Sequence, residues 1–505
     1  MKKKVIIVGA GPGGLTAGML LASRGLEVVV VEKADRVGGR NRSIQIDGYT
    51  FDTGPTFLML EFILRGVFYD AGKKLENYIT LKKLDPMYCL RFANATLYPT
   101  QNQARMREQI ENYFPGNVPG FERFLVTEKH RFEQLYPCLQ KAYSSLAAFF
   151  DLKLLKALPS LSLGKTLFAN LGRYFTDDDL KIAFTFQSKY LGMSPWECPA
   201  LFTILSYMEY AYGVYHVMGG LHKISEAMAR VIQECDGTIH LKTPVKKVLV
   251  EKKVAKGVLL ENGSKLIADD VILNADFSYA VEHLLPLESL KKWTPKVLEK
   301  KQYSCSTFMI YLGLKKRLSL NHHTIIFAND YRANVDSIFS NKPVSDDFSF
   351  YIQNASVTDP SLAPEGKSAL YVLVPVPNNR SGIDWESQKE EFKNKVIDTI
   401  IKKTGYGNLR DAIEVEKVIS PYEWEHSYNV YRAAEFSMAH TFKQLLYLRP
   451  HNRFEDIAHC YLVGGGTHPG SGLPTIYESG RITSDLLCDS YGIRYVSARR
   501  LDAHT

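Results

Sequence analysis

The first 32 residues carry the pattern that most limits what this chain can become. Lys4–Val8 is a short, continuous apolar run, the kind of strand buried on both faces of a parallel sheet. It leads into Gly9-x-Gly11-Pro12-Gly13-Gly14 and then a helical stretch from Leu15 to Ser23, closed by Arg24-Gly25. A second apolar strand, Leu26–Val31, ends in Glu32, 18 residues past Gly14. Each part has a task in holding a dinucleotide. Gly9 permits the tight turn, Gly11 lets backbone approach a pyrophosphate, and Gly14 allows close helix–strand packing. The helix N-terminus offers free N–H groups and a partial positive charge to phosphates. The Glu32 carboxylate suits the two ribose hydroxyls of an adenosine and would repel a 2′-phosphate. A GxGxxG alone says little, but strand, helix, strand and terminal acid together predict a dinucleotide site.

Two further segments decide between cofactors. Gly38-Gly39-Arg40, shortly after Glu32 and Lys33, is a second glycine turn whose arginine can meet the pyrophosphate from the other side. Far along the chain, an apolar strand, Cys460–Val463, runs into Gly464-Gly465-Gly466, with a helix expected from about Tyr477 to Cys488. Distant segments converging along the length of one cofactor favour a permanently held FAD over a simple NAD site.

Between these ends, the pattern predicts two short strands around Asp47-Gly48, a helical stretch over 56–78, and an aromatic-rich, mostly helical region over 79–210. His216 to Gly220 reads as a turn and Leu221 to Gln233 as a helix. Strands follow at Thr238–Leu241, Val245–Glu251, Gly257–Leu260 and Asp269–Asn274, then at Phe308–Gly313, Thr324–Phe327, Phe348–Asn354 and Ala369–Val376, with a charged helix over 385–404. At 505 residues the chain exceeds one ordinary core. The expected class is α/β: a Rossmann-like FAD-binding domain assembled from discontinuous segments, 1–80, 211–280 and 455–505. A mixed α+β substrate domain, 81–210 and 281–454, sits over it.

Charge and cysteine usage exclude other classes. The formal charge is +8, but the Lys and Arg are dispersed and no arginine-rich arm exists, so no nucleic-acid partner is expected. An anionic lipid surface stays open. The seven cysteines form no CxxC pair and the 13 histidines no HExxH, so no metal is expected. The adjacent His322 and His323 suit a loop better than a ligand pair. The charged start and apolar stretch at the N-terminus resemble a signal peptide only superficially, because glycines 9, 11, 13 and 14 interrupt it. No window holds about 18 uncharged apolar residues, so no transmembrane helix is expected.

Taken with Phe51-Asp52-Thr53-Gly54-Pro55, the Gly213–Leu221 turn and Gly466-Thr467-His468-Pro469-Gly470-Ser471-Gly472-Leu473-Pro474, the chain resembles the bacterial-type phytoene and carotenoid desaturases of the flavin amine oxidase-like group. Gln444 with Arg449-Pro450 fits the same pattern. The resemblance runs over nearly the whole chain. It implies noncovalent FAD, with Glu32 on the adenosine ribose, Arg40 at the pyrophosphate and the Val245 backbone at the adenine. Asp52, Thr53, Gly54 and Pro55 would lie near the isoalloxazine, with Gly465, Gly466, Gly472, Leu473 and Pro474 closing around it. The implied reaction removes a hydride and a proton from an allylic CH–CH pair of a long apolar polyene, with oxygen or a quinone as final electron acceptor. His468 is the candidate polar catalytic group near the flavin.

A substrate of that kind lives in a bilayer. Residues 135–175 carry the matching pattern, with Leu146, Phe149, Phe150, Leu154, Leu155, Leu158, Leu161, Leu163, Leu167, Phe168 and Leu171 interleaved with Lys141, Lys153, Lys156, Lys165 and Arg173. This suits a helix lying in the membrane interface and, equally, a helical cap on the substrate domain. The implied location is peripheral, on the cytoplasmic side of the membrane. Within the same family pattern, a carotenoid oxygenase or ketolase and a carotenoid or retinoid isomerase or saturase are the competing activities. The GTHPG segment argues against an amine oxidase.

Overall fold

A computed structural model describes residues 2–145, 152–340 and 342–498. Its centre is a five-stranded parallel sheet ordered 460–462, 270–273, 4–8, 27–31, 238–240. In-register pairs such as Ile7↔Ile272, Ile7↔Val30 and Ile272↔Tyr461 align strands from the start, middle and end of the chain. These strands are almost wholly buried, which explains their continuous rather than alternating apolar pattern. The first helix, Pro12–Ser23, packs against the last, Leu473–Ser490, and against His222–Glu234. The first of these contacts is close because of Gly480. A Cβ there would stand 2.7 Å from Thr16 Cβ and 3.0 Å from the Gly13 carbonyl oxygen.

The second sheet has seven strands, ordered 413–419, 306–314, 368–376, 350–354, 323–326, 89–91, 96–97. It is antiparallel except where His323–Ile326 runs parallel to Cys89–Arg91. One face buries Phe308, Ile310 and Leu312 against Phe392, Val396 and Ile400 of the Trp385–Thr404 helix. The other face turns Met309, Tyr311 and Tyr371 toward the Ser43–Ile46 and Tyr49–Asp52 hairpin.

Several elements differ from the sequence expectation. Residues 56–60 are not helical, and the helix begins only at Glu61, after Leu60 in a left-handed conformation. Tyr215–Val217 is a strand paired with Leu81–Lys83 rather than part of a turn. The last helix begins at Leu473, not Tyr477, because Gly472 and Pro474 form its N-terminus. His323 opens a strand, and both it and His322 are buried. The 135–175 stretch is not one helix. Its described part comprises the end of the Val118–Leu139 helix, then Leu152–Ala157, a 3-10 turn at Leu158–Leu161 that contains Pro159, and, beyond Gly164, Leu167–Leu171. Leu146, Phe149 and Phe150 lie outside the described residues. No helix among the described residues is long and apolar enough to cross a membrane.

Candidate functional site

A cavity of about 530 Å³ runs between the two sheets. At one end it is lined by Gly9, Gly11, Pro12, Gly13, Glu32, Lys33, Gly39, Arg40 and Val245, and further along by Thr53, Gly54, Pro55, Gly465, Gly472, Leu473 and Pro474. Beyond these the walls become aliphatic and aromatic, with Met59, Phe186, Ile325, Phe350 and Leu373. The cavity therefore joins a glycine-lined polar part to an apolar part.

The polar part is built by close backbone packing. The Gly9 N–H donates to the Val31 carbonyl (2.8 Å) and the Gly38 N–H to the Ala10 carbonyl (2.7 Å), which presses the second glycine turn onto the first. Asn274, at the end of its strand, donates to the Gly9 carbonyl (3.1 Å) and fills the space that side chains on the loop would need. A Cβ at Gly11 would stand 2.7 Å from Asn274 Nδ2, one at Gly13 2.9 Å from Asn274 Oδ1, and one at Gly14 2.4 Å from the Gly9 carbonyl oxygen. Gly14 is thus a packing glycine and does not reach the lining. Glu32 is held at the cavity edge because its two carboxylate oxygens accept from the Ala10 N–H (2.7 Å) and the Ala34 N–H (2.8 Å). The Thr243 N–H, donating to the Glu32 carbonyl (2.8 Å), brings Val245 alongside.

Two helix N-termini open on this part, those of Pro12–Ser23 and Leu473–Ser490. Their free N–H groups and partial positive charge favour an anion. Arg40 adds a full charge, pairing with Glu435 (Nη1 to Oε1, 3.6 Å) and donating to the Glu435 carbonyl. Burial, offset in part by Arg40, pushes the Glu435 carboxyl up to about 7, and Asp276 nearby is raised for the same reason. Glu435 Oε2 has no hydrogen-bond partner among the described residues. A cradle too tight for any Cβ, an acid at the cavity edge, two helix ends, an arginine and an orphaned carboxylate oxygen fit a dinucleotide carrying hydroxyls and phosphates.

The segment between the two parts hangs from the second sheet by three tyrosines that the sequence reading did not single out. Tyr311 donates to the Thr53 carbonyl (2.6 Å) and Tyr371 to the Gly54 carbonyl (2.7 Å), while Tyr351 Oη lies 2.8 Å from Thr56 Oγ1. Tyr311 and Tyr371 are cross-strand partners and Tyr351 lies one strand further on, so no spacing in the chain announces them. The C-terminal glycine loop has its own tether. The fully buried Arg449 donates to the carbonyls of Gly465 (2.7 Å), Thr467 (3.2 Å) and Met438 (3.3 Å), and burial lowers its guanidinium to about 9. That is the structural content of the Arg449-Pro450 motif.

Other sequence-predicted residues stand off the cavity. Asp52 accepts from the Leu221 N–H (2.8 Å) at the start of the His222–Glu234 helix, so it fixes that helix. Gly466 packs on Phe277, where a Cβ would stand 2.8 Å from Phe277 Cβ. His468 is 1% exposed and its ring meets Tyr143 edge-on at 5.0 Å. Burial lowers it to about 3, and its backbone is tied to Pro450 and Asn452. It orders the loop from behind rather than facing the cavity. Elsewhere, in the helical region, buried Glu209 accepts from Tyr88 (2.7 Å) and Gln187 (2.8 Å). No group of acidic, His or Cys side chains among the described residues could hold a metal.

With this geometry in view, the chain's relatives can be placed. Residues 12–488 match the model of the flavin containing amine oxidoreductase family. A 4,4'-diapophytoene desaturase (4,4'-diapolycopene-forming) from Methylomonas sp is 52% identical over 98% of this chain and 96% of its own length. An all-trans-zeta-carotene desaturase from Myxococcus xanthus is 36% identical over 97% of this chain and 94% of its own. Among solved structures, cyclohexylamine oxidase from Brevibacterium oxydans superposes with a TM-score of 0.60 at 14% identity, over 97% of this chain and all of that one, a likeness of fold. The chain belongs to the flavin-containing amine oxidoreductases and, within them, to the phytoene and carotenoid desaturases.

Proposed function

We propose that this protein is an FAD-dependent carotenoid desaturase whose preferred substrate is a C30 polyene of the 4,4'-diapophytoene type. One observation carries the reading: a single cavity joins the dinucleotide cradle to an apolar, aromatic-walled space. The chain-length preference rests on the relative at 52% identity, a 4,4'-diapophytoene desaturase.

In this reading Glu32 accepts the adenosine ribose, Gly11 and the first helix meet the diphosphate with Arg40, and Val245 lies against the adenine. Thr53 to Pro55, Gly465 and Gly472 to Pro474 surround the ring. FAD, when bound, supplies the two-electron acceptor that side chains cannot provide. The chain's own residues have other duties. Met59, Ile325 and Leu373 hold an extended hydrocarbon and exclude water, and the tyrosine-tethered 53–56 segment fixes its position relative to the cofactor. The electrons leave finally to oxygen or a quinone.

The substrate arrives from a membrane, and the 152–163 segment suits the contact. Leu152, Leu155, Leu158 and Leu163 are 73%, 43%, 43% and 62% exposed beside exposed Lys153, Lys156 and Lys165, while Leu154 and Ala157 pack inward. Leucines dipping into the interface with lysines at headgroup level give a peripheral attachment, placed here on the cytoplasmic face.

Competition between C30 diapophytoene and C40 phytoene, both in liposomes with FAD-loaded protein, tests the substrate assignment. The expected result is at least about a tenfold higher kcat/KM for the C30 chain, the scale on which a hydrophobic site discriminates by length. Equal or reversed preference would overturn it.

A further inference from the structure

The apolar part of the cavity contains one polar group with an unusual backing. Tyr351 lines the cavity beside Ile325 and Leu373. Its hydroxyl lies 2.7 Å from His323 Nδ1 and 2.8 Å from Thr56 Oγ1. Behind His323 stand two more buried imidazoles. His322 lies 4.3 Å away ring to ring, with Nδ1 2.7 Å from Thr358 Oγ1. His216 lies 4.8 Å from His322, with Nε2 3.1 Å from Asp359 Oδ2. All three histidines and Asp359 are buried. Burying this much polar surface is costly, and aliphatic side chains would fill the space more cheaply. Burial, then the neighbouring His216, holds His323 well below the usual imidazole range; for His322 burial is followed by His323, His216 and Lys82. His323 is therefore a neutral base throughout the physiological range. Burial also makes the Tyr351 phenol far less acidic than usual, so a tyrosinate does not form.

We propose that Tyr351 is the catalytic proton acceptor of the desaturation, with His323 as the positioning residue that takes the phenol's own proton. The proposal rests on the desaturase reading and extends it. One substrate carbon gives a hydride, with its electron pair, to the bound flavin, which is reduced. The adjacent C–H bond gives its electron pair to the new C=C bond and its proton to Tyr351 Oη. The phenolic proton passes to His323 Nδ1, leaving neutral tyrosine and an imidazolium. In the structure the phenol donates to Thr56 Oγ1 (2.8 Å), so the step requires its O–H to turn to His323 Nδ1, 2.7 Å away, with His323 carrying its own proton on Nε2. A weak base suffices, because a C–H bond next to an allylic cation is strongly acidic. Asp359 anchors the far end of the group, accepting from the Gly219 N–H (2.6 Å) and lying 3.1 Å from His216 Nε2.

The test is single-turnover, anaerobic reduction of the FAD-loaded protein by 4,4'-diapophytoene, followed by loss of flavin absorbance. The substrate is used unlabelled and deuterated at the proton-losing carbon. Y351F removes one oxygen atom and H323Q keeps a polar side chain of similar reach. Each is expected to slow reduction by about 10²-fold, the usual scale for a positioned acid or base. The double variant should be no slower than the slower single one, as for residues acting as a unit. The isotope effect at the proton-losing carbon should rise above that of the wild type, a change that loosened packing at Thr56 would not produce. Rates within twofold of wild type, or additive losses with an unchanged isotope effect, would overturn the proposal while leaving the desaturase reading intact. A wild-type flavin that no polyene reduces would overturn both.

Discussion

Glu435 sits where three charges meet, and its behaviour follows from that position. Its carboxyl faces Arg40 and Asp276 on the cavity wall, and burial raises it to about 7 from an ordinary 4.5. A raised carboxyl binds its proton more tightly in the folded chain than in the unfolded one. Its contribution to stability is thus fully present below about pH 4.5 and is lost as pH rises through about 7, on the order of 3 kcal/mol. Glu128, paired with Arg131 and also raised to about 7, has the same sign elsewhere in the fold. In cofactor-free protein, E435Q should therefore lose less stability between pH 5 and 8 than the wild type, measured by urea unfolding at each pH. Parallel pH profiles would show that Glu435 is already ionised. At this scale the sequence was readable where chemistry is local. Gly9 to Gly14 and Glu32 declare themselves because the tight turn, the close glycine packing and the acid at the strand end lie within one β-α-β unit. Tyr311, Tyr351 and Tyr371 do not, because their common target at 53–56 is fixed by cross-strand register. Asn274 was visible only as the end of a strand, although it shapes the whole glycine loop. His468 misled because it lies inside a glycine-rich motif, while its side chain points into the packed core behind it.

At the scale of elements, the crossing of the first and last helices sets the position of both N-termini at the cavity. Gly480 has no room for a side chain against Thr16 and the Gly13 carbonyl. G480L should cost about 1–3 kcal/mol by overpacking, lowering the urea midpoint. It should also lower the FAD retained after gel filtration, since the displaced helix carries Gly11 to Gly13. Full FAD retention in a destabilised variant would mean that the crossing does not govern the cradle. Strands were legible because full burial gives unbroken apolar runs, as in Ser306–Leu314 and Ser368–Val376. Short pieces were not. Tyr215–Val217 reads as a turn because its strand partner, Leu81–Lys83, is more than a hundred residues away. The 135–175 stretch has helical periodicity, yet Pro159 and Gly164 divide it into separate pieces.

For the molecule as a whole, three distant stretches of chain build one parallel sheet, and the second sheet closes over its C-terminal edge to form the cavity. That discontinuity was readable because each stretch carries its own strand-to-glycine or strand-to-loop exit, at Val8, Leu273 and Leu462. How the exposed leucines are used was not readable, since a membrane-facing and a core-facing helix share one periodicity. Replacing Leu152, Leu155 and Leu158 together by serine removes the protruding apolar surface and spares the inward-facing Leu154 and Ala157. The triple variant should retain FAD and its melting temperature but lose most of its co-sedimentation with anionic liposomes. Unchanged co-sedimentation would place the membrane contact elsewhere.

The most direct measurement is anaerobic incubation of the FAD-loaded protein with 4,4'-diapophytoene in liposomes, reading product masses and absorbance. The expected result is bleaching of the flavin and products lighter by successive pairs of hydrogen atoms, with absorption moving to longer wavelength as conjugation grows. An unbleached flavin with unchanged substrate, or products that gain oxygen once air is admitted and lose no hydrogen before it, would contradict it.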